Sequence, residues 1–418
     1  MSNTPSARAG EWKSGWPLVL SSAVGFSFYS VMVGSLGLFM DPLEQAFGWS
    51  RTLMSSGPGI ATIVTALLSP FFGILIDRMG TRRLVLPGMV LTILTVSCFS
   101  FLTGAVWQWF ALWTVYGVVS TSLKSTGWTA AVLGVFSSGR GLALGLMMSG
   151  LAITQTLLPP LGNWLIAEIG WRGTYVSLAL GWGGVAFLLC LFCFFDVHDR
   201  KATRPQTADR ALRADASAAE SLPGLTLRQA SRNSALLRIA ASNLLMMALT
   251  TGLAIHLFPI LTEAGVSRAN AAWLTSIGGI AAIAGKLCTG VLLDRCQPNW
   301  IGGLTFAAAA TAFLMLSEDL RSPVLIIVAL VVNGYAGGTQ MQIAGFLTAR
   351  YAGMRHFGAI YGVMGGLFAL AGGLGPTVAG LVYDTAGSYG PFLIGGAISC
   401  TLCGLLILSL PRYPDWDA

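Results

Sequence analysis

The chain has 418 residues, of which 54% are hydrophobic and only 10% charged, with a mean hydropathy of +0.71. That leaves too little polar surface for a water-soluble globule of this length. The formal charge of +7 is accounted for by the loop topology described below and gives no reason to expect a nucleic-acid partner.

A hydrocarbon core of about 30 Å is crossed by about 20 apolar residues in helical form, and twelve such runs can be placed. The first sixteen residues are polar, with Arg8 and Lys13. No short apolar run with a small-residue cleavage site follows, so span one, 17–40, is expected to stay as a helix. It carries Tyr29 and Ser30, then runs into Phe39-Met40-Asp41-Pro42-Leu43-Glu44 and Phe47-Gly48-Trp49-Ser50-Arg51. Span two, 53–76, ends in Gly73-Ile74-Leu75-Ile76-Asp77-Arg78, with Gly80, Arg82 and Arg83 close behind. Glycine lets helices approach closely, and Asp77 can cap a helix or pair with arginines. Gly73, Asp77, Arg78, Arg82 and Arg83 are therefore expected to latch and release one helix bundle against the other. The plainer reading is a positively charged loop.

Span three, 84–104, is followed by span four, 107–133, where Tyr116, Ser120, Lys124 and Trp128 recur every four residues as a polar and aromatic stripe. Span five, 141–166, stacks Gly141, Gly145 and Ser149 on one face and carries Pro159-Pro160; span six covers 173–195. The connection 196–235 has almost no apolar periodicity and reads as a linker. Span seven, 236–261, offers Asn243 and His256, the histidine as suited to packing as to carrying a proton. Span eight, 271–293, holds Lys286 and ends in Gly290-Val291-Leu292-Leu293-Asp294-Arg295, adding Asp294 and Arg295 to the gating set. After span nine, 300–317, span ten, 322–347, places Asn333, Gly337 and Gln340 on one stripe, with Tyr335 nearby. Span eleven, 357–383, repeats the small-residue seam as Gly358, Gly362 and Gly366 before Pro376, and span twelve is 389–410. Four-residue glycine spacing predicts packing seams in spans five and eleven.

Lys124 and Lys286 are the two cations well inside the spans, whereas Asp41, Asp196, Glu263 and Asp384 all lie near span ends. A buried charge in a membrane is rarely tolerated unless it faces a wet cavity or a partner. An ammonium group without a resident acid selects for an anion that arrives with the substrate. The competing reading is snorkelling, since Lys286 is about two turns from Asp294. Seven cysteines, including the pairs Cys190/Cys193 and Cys400/Cys403, lie mainly inside spans with no histidine or third thiol nearby in sequence. They read as apolar filler, so neither metal nor cofactor is expected. No constellation of an enzyme is present.

An offset of 217 carries Gly73, Asp77 and Arg78 onto Gly290, Asp294 and Arg295, and Gly48, Ser50 and Arg51 onto Gly265, Ser267 and Arg268. It also carries Pro159 onto Pro376 and Gly170 onto Gly387. One register over so many landmarks marks a duplicated unit. The expected organisation is all-α: a six-helix bundle over 1–195, a cytoplasmic linker over 196–235 and a second six-helix bundle over 236–418. With the N-terminus inside, eighteen of the 24 Lys and Arg residues fall on the inner side. Outside fall Arg51, Arg172, Arg268 and Arg321. That bias predicts a multi-pass protein of the cell (inner) membrane with both termini cytoplasmic.

The loop signature Gly73-x-x-x-Asp77-Arg78-x-Gly80-x-Arg82-Arg83 and its echo at 290–295 resemble the major facilitator superfamily. The strings at 39–51, Gly285-Lys286-x-x-x-Gly290, Phe357-Gly358-Ala359-Ile360-Tyr361-Gly362 and Gly375-Pro376 are similar to its monocarboxylate-porter and oxalate:formate-antiporter branch. The resemblance implies two six-helix bundles, alternating access, and a span-eight cation, usually arginine, that binds the substrate carboxylate. Lys286 matches that position. Lysine lacks arginine's bidentate fork. Gly365, Gly366, Leu367 and Phe368 stand where the oxalate exchangers carry a second cation, and Ala282 stands where proton-coupled animal members place Asp. Neither oxalate nor that coupling scheme is carried over.

The expectation is a secondary transporter of a small organic carboxylate, working as a monomer by proton symport or anion exchange. The anion would lie between the halves on Lys286 and Lys124, with Tyr116, Trp128, Tyr29, Gln340 and Asn333 shaping the site. Two alternatives are a proton-driven drug or metabolite exporter and, from another class, a transporter-like nutrient receptor.

Overall fold

The computed structural model describes residues 5–136, 140–195, 224–317, 322–353 and 355–411. Among these residues there is no strand, only an isolated bridge between Gly224 and Gly353. The helices are α1 (Pro5–Phe47), α2 (Arg51–Met79), α3 (Arg82–Cys98), α4 (Val106–Ser120), α5 (Ser125–Val135), α6 (Arg140–Met148), α7 (Gly150–Ser177) and α8 (Gly184–Cys193). After the linker come a short α9 (Leu227–Ala230), α10 (Ser234–Glu263), α11 (Arg268–Arg295), α12 (Pro298–Met315), α13 (Pro323–Ala352), α14 (Phe357–Ala386) and α15 (Gly390–Leu408).

Among the described residues, nine helical stretches are long and apolar enough to cross a membrane. One of them, 142–193, runs through two of the expected spans, and the chain turns between them at Gly170 (φ 71). Span four is divided into α4 and α5, and span nine is the 18-residue α12. The fold is therefore all-α, with twelve transmembrane spans in two pseudo-symmetric sets of six.

The duplicated landmarks do the same local work in both sets. Gly48 and Gly265 end their helices with φ of 66 and 81, a left-handed backbone that side chains avoid. Two residues later Ser50 Oγ accepts from Leu53 N at 3.2 Å, and Ser267 Oγ accepts from Asn270 N at 3.4 Å. Each serine thereby satisfies an orphan amide at the start of the next helix. The repeat is thus a repeat of helix stops and starts.

The chain divides into two compact units, residues 1–201 with 255–279, and residues 202–254 with 280–418. The first unit adds the end of α10 and the start of α11 to the first six spans. Its core is a run of edge-on aromatic rings: Trp49 on Trp109, Trp109 on Trp113, and Trp113 on Tyr116, with Phe99 against both Trp109 and Trp113. Gly57 makes room for this stack, because a Cβ there would collide with the Trp113 ring.

The small-residue seams differ from the periodicity. A Cβ on Gly145, Gly362 or Gly366 would meet nothing within 4 Å. The close approaches are elsewhere: Gly150 lies on the Ala23 carbonyl in the first unit, and Gly375 on the Ala248 carbonyl in the second. Four-residue spacing marks a face but does not say what covers it.

Candidate functional site

Lys124 sits where span four breaks. α4 tightens into a 3₁₀ turn at Thr121–Leu123, Lys124 is extended (φ −64, ψ 156), and α5 restarts at Ser125. Side-chain hydroxyls prepare the bend: Thr121 Oγ1 donates to the Gly117 carbonyl and Ser122 Oγ to the Val119 carbonyl, each at 2.7 Å. Such bonds compete with the helical ladder and bend it. The half-buried Lys124 then donates from Nζ to Ser69 Oγ at 3.0 Å, and Ser69 donates onward to the Thr65 carbonyl at 2.6 Å. Among the described residues no carboxylate pairs with Lys124. Its charge therefore meets a neutral acceptor with two N–H donors left over.

The break undoes the stripe expected along span four. Tyr116 is buried, and its hydroxyl donates to the Tyr29 carbonyl at 2.8 Å. Trp128 is wholly buried, with Nε1 donating to the Leu123 carbonyl at 2.8 Å and its ring against Gly25 and Phe194. Trp128 thus braces the backbone beside Lys124, while Tyr116 ties α4 to α1. Tyr29 is half-exposed and stacks on Phe26 at 6.0 Å.

In the second unit Lys286 is exposed on α11, and no described side chain bonds to it. One residue away, Gly285 packs on Tyr335 and Thr339, and Thr289 Oγ1 lies 2.7 Å from Tyr335 Oη. That seam fixes α11 against α13, with Lys286 turned out of it. Gln340 is buried, donating to the Asn243 carbonyl at 2.7 Å and accepting from Thr250 Oγ1 at 3.3 Å. Asn333 is 9% exposed, and its Oδ1 has no hydrogen-bond partner. Lys124, Tyr29, Tyr116 and Trp128 thus belong to the first unit and Lys286, Gln340 and Asn333 to the second.

Of the gating set, Arg82 Nη2 donates to the Leu191 carbonyl at 2.7 Å, tying the start of α3 to the end of α8. Arg78, Arg83 and Arg295 are exposed, and Gly73 has open space where a Cβ would stand. The side chains of Asp77 and Asp294 lie outside the described residues.

A second charged cluster, at the opposite end of α2, went unnoticed in the sequence. Arg51, 5% exposed, places Nη2 2.7 Å from Glu263 Oε1 and 3.8 Å from Asp41 Oδ1, with Nε 3.4 Å from Glu44 Oε2. Arg268 Nη1 lies 2.6 Å from Asp41 Oδ2, Nη2 donates to the Leu38 carbonyl at 3.2 Å, and its guanidinium sits over the Phe258 ring. Just inside, His256 Nε2 and Ser55 Oγ are 3.0 Å apart and buried. All these residues belong to the first unit, so the cluster fastens 255–279 to α1 and α2. The signal was present: Arg51 and Arg268 are repeat equivalents, with acids at Asp41 and Glu263.

A family profile described as Major Facilitator Superfamily matches residues 20–258 and 239–417. The chain belongs to the major facilitator superfamily. It is a multi-pass membrane transporter, not an enzyme. Similar proteins include monocarboxylate transporter 13 of Bos taurus, 25% identical with 97% of this chain and 90% of the relative covered. Monocarboxylate transporter 12 of Rattus norvegicus is also 25% identical, over 93% of this chain and 83% of the relative. Among solved structures, a D-xylose-proton symporter superposes with a TM-score of 0.69 at 13% identity, covering 97% of this chain and 99% of that one. A bacterial homologue of the human lysosomal transporter Spinster, inward-facing and unoccupied, gives 0.65 at 15% identity, with 95% of each chain covered. Both structures share the fold with this transporter.

Proposed function

We propose that this transporter moves a small organic carboxylate by alternating access, as proton symport or anion exchange, in the inner membrane with both termini cytoplasmic and as a monomer. The observation that carries the reading is Lys124, whose ammonium, among the described residues, is answered by the Ser69 hydroxyl and by no acid. Lys286 adds a second cation without a described acid. The names of the monocarboxylate-transporter relatives point the same way.

A cation held at membrane depth without a counter-ion is expensive. A carboxylate that pairs with it removes that penalty, so binding favours an occluded state over the empty one. Lys124 keeps its bond to Ser69 and offers its remaining N–H donors to the anion. Lys286 plays the matching part in its own half. Tyr29 shares its unit with Lys124 and Asn333 shares its unit with Lys286, whereas Tyr116, Trp128 and Gln340 hold backbone within those units. Lysine is a point charge on a flexible stem, so recognition tolerates varied carboxylate orientations.

The test is counterflow of labelled lactate, pyruvate or an aromatic acid in proteoliposomes, with Lys286→Gln and Lys124→Gln beside wild type. Uptake that depends on both lysines supports the reading. Uptake of lipophilic cations alone, with no carboxylate movement, sinks it.

A further inference from the structure

Arg172 occupies a place that the transport reading does not use. It begins the sixth span, two residues beyond the Gly170 turn, and faces an open groove of about 520 Å³ lined by Ser100, Phe101, Leu102, Thr103, Gly173 and Val176. Its guanidinium lies over the Trp171 ring, 4.2 Å from the centroid, with the Phe47 ring 5.9 Å away. Nη2 donates to the Leu102 carbonyl at 3.1 Å. Stacking plus one bond to main chain fixes the plane of the group. Among the described residues no carboxylate pairs with it.

A guanidinium has five N–H donors in a rigid fork, and here one is used. The rest stay oriented beside the groove. The surroundings are apolar and outward-facing: Phe101, which lines the groove, is 76% exposed, and Trp171, under the guanidinium, is partly exposed. Tryptophan at a span end marks the level of the lipid headgroups. A fixed cation at that level, next to exposed apolar side chains, matches a molecule with a phosphate at one end and hydrocarbon at the other.

We infer that the Arg172 groove is a phospholipid site, with the lipid phosphate on the guanidinium fork and an acyl chain along Phe101. Arginine suits a tetrahedral phosphate because two parallel N–H bonds can form at once. The site is separate from Lys124 and Lys286, so it stands or falls independently of the carboxylate reading.

The experiment is native mass spectrometry of the full chain released from detergent. It is titrated separately with phosphatidylglycerol, diacylglycerol and inorganic phosphate, for wild type, Arg172→Gln and Arg172→Lys. Wild type should retain phosphatidylglycerol but neither of the other two. Arg172→Gln should weaken retention about tenfold, the scale of a lost charge-assisted bond. Arg172→Lys keeps charge and stem but loses the fork, and should weaken it about threefold; it decides the matter if the glutamine variant does not fold. Equal retention of phosphatidylglycerol by the variants overturns the inference. So does equal binding of diacylglycerol, which would leave only an apolar rim, or of inorganic phosphate, which would make this a site for a free ion.

Discussion

Arg268 reaches back 227 positions along the chain to set Nη1 2.6 Å from Asp41 Oδ2. Its repeat equivalent, Arg51, holds Glu263 at 2.7 Å, so each duplicated arginine grips an acid that its own repeat does not supply. Their surroundings differ: the side chain of Arg51 is 6% exposed and that of Arg268 38%. Removing one partner of a buried pair strands a charge and costs about 3–5 kcal/mol, whereas exposed pairs contribute about 0–1 kcal/mol. Arg51→Met should therefore lower the thermal midpoint in detergent well below that of Arg268→Met. An equal or reversed order would show that Arg51 is not the centre of the cluster.

For the proposed carboxylate site, Lys124→Gln and Lys286→Gln should each weaken substrate binding about 10-fold to 100-fold, as expected for losing about 1.5–3 kcal/mol of charge-assisted bonding. Equilibrium binding of a labelled acid checks this. Either variant binding like wild type removes that lysine from the site.

Ser69 supplies a sharper variant. Ser69→Ala deletes a neutral acceptor and should shift stability by only about 0.5–1.5 kcal/mol. Ser69→Asp would instead give Lys124 a resident acid. Carboxylate uptake should then fall to background while the protein still folds, read by transport and by size-exclusion profile together. Unchanged uptake in Ser69→Asp would mean that Lys124 does not meet the substrate.

Glycine packing gives a paired contrast. A Cβ at Gly375 would press on the Ala248 carbonyl, and one at Gly145 would meet nothing within 4 Å. Gly375→Ala should lower the thermal midpoint. Gly145→Ala should leave it unchanged or raise it, since alanine favours a helix over glycine by about 1 kcal/mol.

Much of the architecture could be read from residues, because the periodicity and the 217-residue register report local chain behaviour. Gly48 and Gly265 stop helices and Ser50 and Ser267 start them, as sequence-local chemistry dictates. Site geometry was less legible. The stripe from Tyr116 to Trp128 presumed an unbroken helix, and no proline or glycine flags the break. Its only herald is the Thr121-Ser122 hydroxyl pair, which bonds back to Gly117 and Val119. The Arg51 and Arg268 cluster stayed hidden for another reason. Its two shortest ion pairs, Arg51 with Glu263 and Arg268 with Asp41, each join residues more than two hundred positions apart, and no local pattern encodes such a meeting.

The interruption at Lys124 carries a consequence for hydration. Peptide groups at membrane depth survive outside a regular helix only when protein covers them or water touches them. Thr121, Ser122 and Leu123 are covered, but Lys124 is half-exposed, and the first amides of the helix that follows have no acceptor within it. Span four therefore demands moisture at its middle, and deuterium should enter the amides of Ser125 and Thr126 sooner than those of the flanking turns.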